Sequence, residues 1–176
     1  MSSEPLIGGV DPGWVRAIDR FVLAIGGAIS WIALAIVVVM ATNVVLRYLF
    51  SMGSVWSQEL EWHLLTPLIM FGISYALQQG EHVRVDVLYA NFSEKNKALV
   101  DFISALLCLA IALIFIWVSL KYVQQSYVID EKSNDPGGLT HRWVLKALIP
   151  TGFALLVLQS VAVAAKTLAR MRAAPR

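Results

Sequence analysis

The sequence is poor in charged residues and holds a single cysteine. Charged residues make up 15% of its 176 residues, against about 25% in an ordinary soluble domain. The one cysteine, Cys108, excludes an intramolecular disulfide. A net charge of +2 is too small to indicate nucleic-acid binding. What remains is an apolar chain, with 58% hydrophobic residues, and this composition is typical of a membrane protein.

Four stretches contain no Asp, Glu, Lys or Arg: residues 21–46, 62–80, 102–120 and 147–165. A helix of about 20 apolar residues crosses the roughly 30 Å hydrocarbon core of a bilayer, so each stretch predicts one membrane span. A soluble helical bundle would instead show polar helix faces at a 3.6-residue period, and the third stretch is apolar almost all round. We therefore expect an all-α integral membrane protein in which residues 1–176 form a single four-span domain.

Lysine and arginine in the flanks of the spans predict the orientation. Nine of them lie on the side that holds both termini and the middle connection, against five on the other side. Because positive residues accumulate on the cytoplasmic side, we expect both termini in the cytoplasm. Aromatic side chains such as Trp56 and Trp143 lie near the span ends on the opposite side, as an interfacial belt would require.

The connection over residues 81–101 contains an alternation of polar and apolar side chains from His82 to Val87. The alternation alone is typical of a strand, but a lone strand at a membrane surface would leave its backbone unpaired. A helix would give an apolar stripe, with Arg84 and Asp86 elsewhere, so we expect a short amphipathic helix on the cytoplasmic surface. Arg84 and Asp86 would orient this helix or contact a partner, or they would simply be solvated at the surface. Ser93 is expected to cap the following helix.

Little chemistry is visible inside the spans. The polar side chains that we single out between the span ends are few and uncharged. They are Thr42 and Asn43, near the outer end of the first span, then Thr66, Ser74 and Ser104, and His63 close to a span end. The pattern contains no metal cluster, no nucleophile–base set and no phosphate loop, and a haem-binding bundle would require a second histidine facing His63. We therefore expect no catalytic, cofactor or metal site and no enzyme. Small residues at Gly26-x-x-x-Ser30 and Gly72-x-x-x-Ala76 predict faces where helices approach closely.

Arg47, Glu59 and Glu61 form the most distinctive polar group. A turn between the first two spans brings them to one level at the outer interface, where the lower dielectric strengthens charge pairing. They would close the hairpin between those spans, or they would make an electrostatic contact with another protein.

Four separated motifs carry a resemblance to a known family: NVVLRYLF (43–50), WSQELE (56–61), GEHVRVD (80–86) and IPTGF (149–153). Together they resemble the small membrane subunit, of the DctQ type, of tripartite ATP-independent periplasmic (TRAP) transporters. The resemblance covers roughly residues 18–165, and the segment Gly80-x-His82-Val-Arg84-Val-Asp86 is its most specific part. The loop around Asp135 is longer and more polar than in many family members.

This resemblance implies a bacterial inner-membrane subunit without cofactors that works beside two partners. A periplasmic binding protein captures an organic acid, commonly a C4-dicarboxylate, and a large membrane subunit moves it across with a sodium or proton gradient. The small subunit would brace the large one, in contact with membrane lipids, and help dock the binding protein. The alternatives are a self-sufficient transporter or channel made of several copies of this chain, and an assembly factor.

Overall fold

The structure of the chain, a computed structural model, describes residues 12–80 and 92–173. Four helices account for the regular structure of these residues: α1 (Gly13–Phe50), α2 (Val55–Gln79), α3 (Glu94–Val128) and α4 (Arg142–Ala173). All four are long and apolar enough to cross a membrane. The prediction of an all-α protein with four spans is therefore confirmed.

The helices extend beyond the uncharged stretches. α1 has 38 residues, which is about 57 Å of helix at 1.5 Å per residue and exceeds the hydrocarbon core. The predicted cap at Ser93 is confirmed, since its side chain accepts a hydrogen bond from the backbone N–H of Asn96 at 3.4 Å. Most of the predicted surface helix, residues 81–91, lies outside the described residues, and residues 94–101 form the first turns of α3.

The four helices pack in the spatial order α3–α4–α2–α1. α4 packs most extensively against α3 and also contacts α2 and α1, whereas α1 and α2 form a hairpin. α3 has no comparable packing against α1 or α2 within the described ranges. The arrangement is consequently open rather than a closed ring. In the most apolar part of α4, 33% of the residues are buried, the highest share of any helix, because α4 lies between its neighbours.

α3 contacts α4 through a stripe of small side chains. The buried residues of α3 are spaced seven apart: Ala98, Ala105, Ala112, Ser119 and Ser126. A seven-residue repeat keeps one helix face towards its partner when the two helices supercoil left-handedly, and small side chains let the backbones approach. Phe115 and Phe153 stack beside this contact with ring centroids 4.7 Å apart.

Two glycines mark places where α2 approaches its neighbours α1 and α4 closely. A Cβ atom at Gly26 of α1 would overlap the ring of Tyr75, and a Cβ atom at Gly152 of α4 would lie 2.7 Å from Cβ of Met70. The close approach predicted at Gly26 is thus confirmed. The one predicted at Gly72 is wrong, since a Cβ atom there would meet nothing within 4 Å.

Replacing Ala112 by phenylalanine tests the small-residue stripe. We expect Ala112→Phe to force α3 away from α4 and to destabilise the protein by about 1–3 kcal/mol, the usual effect of overpacking. The matched control is Ala110→Phe on the exposed face of the same helix, which should leave stability nearly unchanged. Thermal unfolding in detergent or nanodiscs measures both, and equal effects of the two substitutions would contradict the assigned contact.

Candidate functional site

Polar side chains gather at the two ends of the helix layer. The hairpin end, as we name it, holds the α1–α2 turn (51–54) and the α3–α4 loop (129–141). The termini end holds the start of α1, the end of α2, the start of α3 and the end of α4. Hydrogen bonds and ion pairs between the described helices and loops occur at both ends.

At the hairpin end, the carboxylate of Glu59 is inserted into the α3–α4 loop. Glu59 lies on α2 and is 7% exposed. It accepts hydrogen bonds from the hydroxyl of Ser133 and, at 2.5 Å, from the backbone N–H of Leu139. A Cβ atom at Gly138 would overlap the side chain of Ser133 and lie 2.7 Å from Oε2 of Glu59, so the loop closes over the bonded pair of Ser133 and Glu59 where it has no side chain. One buried acid therefore fixes the loop to α2.

The α3–α4 loop is also folded on itself. Its backbone bonds join Ser133 N–H to the carbonyl of Leu139 at 3.1 Å and Arg142 N–H to the carbonyl of Glu131 at 3.1 Å. Gly137 has a φ of 83°, which glycine adopts without a Cβ penalty. The loop is long and polar, as expected from the sequence, and it has a defined shape.

An ion pair joins Glu131 of the loop to Lys146 near the start of α4. The ammonium group of Lys146 also lies 3.8 Å from the ring centroid of Tyr122 on α3, within the range of a cation–π contact. The hydrogen bond from Lys146 lowers the pKa of the Glu131 carboxyl below its ordinary value. This pair ties the loop to both helices that it connects.

Glu61 has a different partner from Glu59. Its carboxylate accepts a 2.6 Å hydrogen bond from the side-chain amide of Asn43, which joins α1 to α2. Arg47 forms no ion pair with Glu59 or Glu61, all three being described residues. It is exposed and lines a 220 Å³ cavity beside the α1–α2 turn. The pairing expected among these three residues is replaced by contacts with Asn43 and the loop.

At the termini end, Asp19 connects three helices. Its carboxylate pairs with Lys166 of α4 at 2.5 Å and accepts a hydrogen bond from Gln159 of α4 at 3.3 Å. Its backbone carbonyl accepts a 2.5 Å hydrogen bond from the side chain of Gln78 at the end of α2. The side chains of Asp19, Gln78, Gln159 and Lys166 are named here the Asp19 cluster.

The Asp19 cluster corrects the sequence-based list of polar groups in the spans. Gln159 and Ser160 lie inside the fourth stretch, both are 0% exposed, and both were overlooked. Gln159 was easy to miss because a single amide hardly changes the mean hydropathy of an apolar stretch. A buried glutamine, however, nearly always has hydrogen-bond partners. That rule is the signal that could have indicated a helix–helix contact at Gln159.

Of the other predicted residues, the structure describes Trp56 and Trp143. Trp56 is 50% exposed at the start of α2, beside Arg47 in the cavity lining. Trp143 packs edge-on against Tyr127 with ring centroids 5.4 Å apart. His82, Arg84 and Asp86 fall in the segment outside the described residues. Across residues 12–80 and 92–173, no group of three or more histidine, cysteine or acidic side chains could hold a metal ion.

A match to a family model shows the family to which the chain belongs. The model, for the DctQ component of tripartite ATP-independent periplasmic transporters, matches residues 36–170. The chain belongs to this family. The matched region runs from the middle of α1 to near the end of α4, so it includes Glu59, the α3–α4 loop and most of the Asp19 cluster.

Three curated relatives resemble the chain. The sialic acid TRAP transporter permease protein of Haemophilus influenzae is 28% identical over 65% of this chain and 18% of its own length. The C4-dicarboxylate TRAP transporter small permease protein of Pseudomonas aeruginosa is 29% identical over 59% of this chain and 50% of its own. A TRAP transporter small permease protein of a second H. influenzae strain is 32% identical, over 56% and 65% respectively. The matches thus span less than two thirds of each relative.

Amide hydrogen exchange at Leu139 tests the role of Glu59 in this DctQ-family chain. We expect Glu59→Ala to speed exchange of the Leu139 N–H by about tenfold or more, because a hydrogen bond to a charged group contributes about 1.5–3 kcal/mol. Glu61→Ala is the matched control, since Glu61 bonds to Asn43 rather than to the loop. Unchanged protection of Leu139 in Glu59→Ala would contradict the assigned bond.

The lowered pKa of Glu131 predicts that the loop loosens in acid. A carboxyl whose pKa is lower in the folded state stabilises that state above its unfolded pKa, about 4.3 for glutamate, and loses this contribution as the pH falls through the folded value. Fluorescence of Trp143, which lies beside the loop, should therefore change below about pH 4.3. In Glu131→Gln this pH-dependent change should be reduced, and an identical titration of the two proteins would refute the prediction.

Proposed function

We propose that the chain is the small membrane subunit of a TRAP transporter, which braces the large transport subunit and helps dock the periplasmic binding protein. Membership of the DctQ family supports the first part. The observation that carries the second part is the α3–α4 loop, which Glu59 and Glu131 hold in a defined shape at one end of the helix layer.

Three polar side chains of the described helices, Asn43, Glu59 and Asp19, hold elements of the chain together, which supports a bracing role. A secondary transporter binds cargo and ions near the membrane midplane, commonly with interrupted helices. Here α2 continues through Pro67 and α4 through Pro150. Asn43, Glu59 and Asp19 all contact neighbouring helices or loops. A chain built in this way is suited to support a transporter rather than to carry a substrate.

The exposed apolar surface offers room for a large membrane partner. Trp31 of α1 and Trp117 of α3 are 72% and 66% exposed, and both α1 and α3 lie at the edges of the layer. The match with the sialic acid permease protein covers less than a fifth of that relative, so there a similar segment belongs to a much longer permease chain. Both facts favour a lasting association with a larger membrane subunit.

The α3–α4 loop is the best surface for docking a periplasmic protein. With both termini in the cytoplasm of a bacterial cell, as the positive residues predict, the hairpin end faces the periplasm. Asp130 and Lys132 form a 3.2 Å ion pair there, and each side chain is 62% exposed. Charges at the rim of an interface mainly govern the association rate and partner choice, which suits a binding protein that docks and leaves repeatedly.

The cargo that we propose is an organic acid taken up with an ion gradient. Two relatives are named for C4-dicarboxylates and for sialic acid, and both kinds of molecule carry a carboxylate. The carboxylate is therefore the common chemical feature of the proposed substrate class.

Purification of the tagged chain from its native membranes tests the proposal. We expect a larger membrane protein to co-purify in a fixed ratio and carboxylate uptake to depend on a periplasmic binding protein. Gly138→Leu drives a side chain into Ser133 and Glu59. It should reduce this uptake about tenfold or more, equivalent to about 1.4 kcal/mol in docking affinity, while the large subunit still co-purifies.

The matched control for this experiment is Gly53→Leu in the α1–α2 turn, where a Cβ atom would meet nothing within 4 Å. It should leave both assembly and uptake intact. A tagged chain that brings no larger membrane protein with it would refute the proposed function. Full uptake by Gly138→Leu with a displaced loop would refute the docking role alone.

A further inference from the structure

A cleft of about 430 Å³ opens between α2, α3 and α4 at the termini end. It exists because α2 and α3 both pack on α4 without packing extensively on each other. Its volume falls within the roughly 300–1,000 Å³ typical of small-molecule sites. The three helices around it are long and apolar enough to cross a membrane, so amphipathic membrane lipids are the molecules with access to a cleft at this position.

The lining of the cleft changes from apolar to charged along the helices. Ile73 and Leu156 line the part nearer the middle of the spans, whereas Lys166 and Arg170 of α4 and Asp101 of α3 line the part at the helix ends, which we name its mouth. Lys166 and Leu156 are ten residues apart, or about 15 Å along a helix. The charged residues also lie at the ends of the uncharged stretches, which is the depth of lipid headgroups. A phospholipid has this same gradient from a charged head to an apolar tail.

The two walls at the mouth carry opposite charges. Lys166 pairs with Asp19, but an ammonium has three donors, so it can serve a second acceptor. Arg170 is exposed one turn further along α4 and presents a guanidinium suited to phosphate. Asp101 faces them from α3, and a carboxylate accepts about four hydrogen bonds, so it can serve more than one donor. The mouth therefore complements a headgroup that carries both a phosphate and an ammonium.

We propose that this cleft is a binding site for a phospholipid with a zwitterionic, primary-amine headgroup of the phosphatidylethanolamine type. Lys166 and Arg170 bind the phosphodiester, Asp101 binds the ammonium, and one acyl chain lies against Ile73 and Leu156. A lipid with an anionic, amine-free headgroup such as phosphatidylglycerol satisfies the α4 wall but leaves Asp101 facing its hydroxyls and phosphate. The bound lipid fills the space between two helices that do not support each other.

Native mass spectrometry of the purified full-length chain tests the site. The protein is exchanged into nanodiscs of equal phosphatidylethanolamine and phosphatidylglycerol, released, and scored for retained lipid. We expect one retained phosphatidylethanolamine per chain, in about fivefold or greater preference over phosphatidylglycerol. Arg170→Gln should lower the retained fraction about fivefold or more. Asp101→Asn should abolish the preference for the amine lipid without reducing retention of phosphatidylglycerol.

Arg172→Gln is the matched control, because Arg172 is exposed on the same helix but does not line the cleft. Equal loss of lipid in Arg170→Gln and Arg172→Gln would overturn the assigned site. Equal retention of the two lipids by the unsubstituted chain would overturn the headgroup assignment, and this comparison requires no variant to fold. Absence of any retained lipid, as expected if another protein segment fills the cleft, would overturn the proposal as a whole.

Discussion

Helices in lipid gain little by burying apolar surface against each other, so close backbone contacts and polar bonds must hold them together. α4 makes most of these contacts in this chain. It approaches α3 along a seven-residue stripe of alanine and serine, approaches α2 at Gly152, and reaches α1 through the pair of Lys166 with Asp19. The layer is open because nothing comparable joins α3 to α1 or α2 in the described ranges.

The spans contain few polar side chains, and the use that the fold makes of them connects it to the proposed role. Each polar side chain that ties two elements is unavailable for cargo: Glu59 fixes the α3–α4 loop, Glu61 bonds to Asn43, and Asp19 joins three helices. The product is a layer with broad apolar faces and a shaped polar loop at one end. Such a molecule can present one surface to a large membrane subunit and another to a periplasmic protein.

The sequence predicts the local features of this structure and misses the distant ones. The four helices and the cap at Ser93 follow from nearby residues, since lack of charge and capping act within a few turns. The partners of Glu59 lie 74 and 80 residues away in the chain, and local patterns hold no information on such contacts. The stripe on α3 was missed because alanine in an apolar helix looks the same whether it faces lipid or another helix.

Reconstitution tests most directly whether the chain acts as a companion to a larger transporter. Proteoliposomes that contain the purified chain alone, given sodium or proton gradients, should accumulate no carboxylate. Addition of the large membrane subunit and the binding protein should restore uptake. Gradient-driven accumulation of an organic anion by the chain alone would contradict the account and would favour a self-sufficient oligomeric transporter.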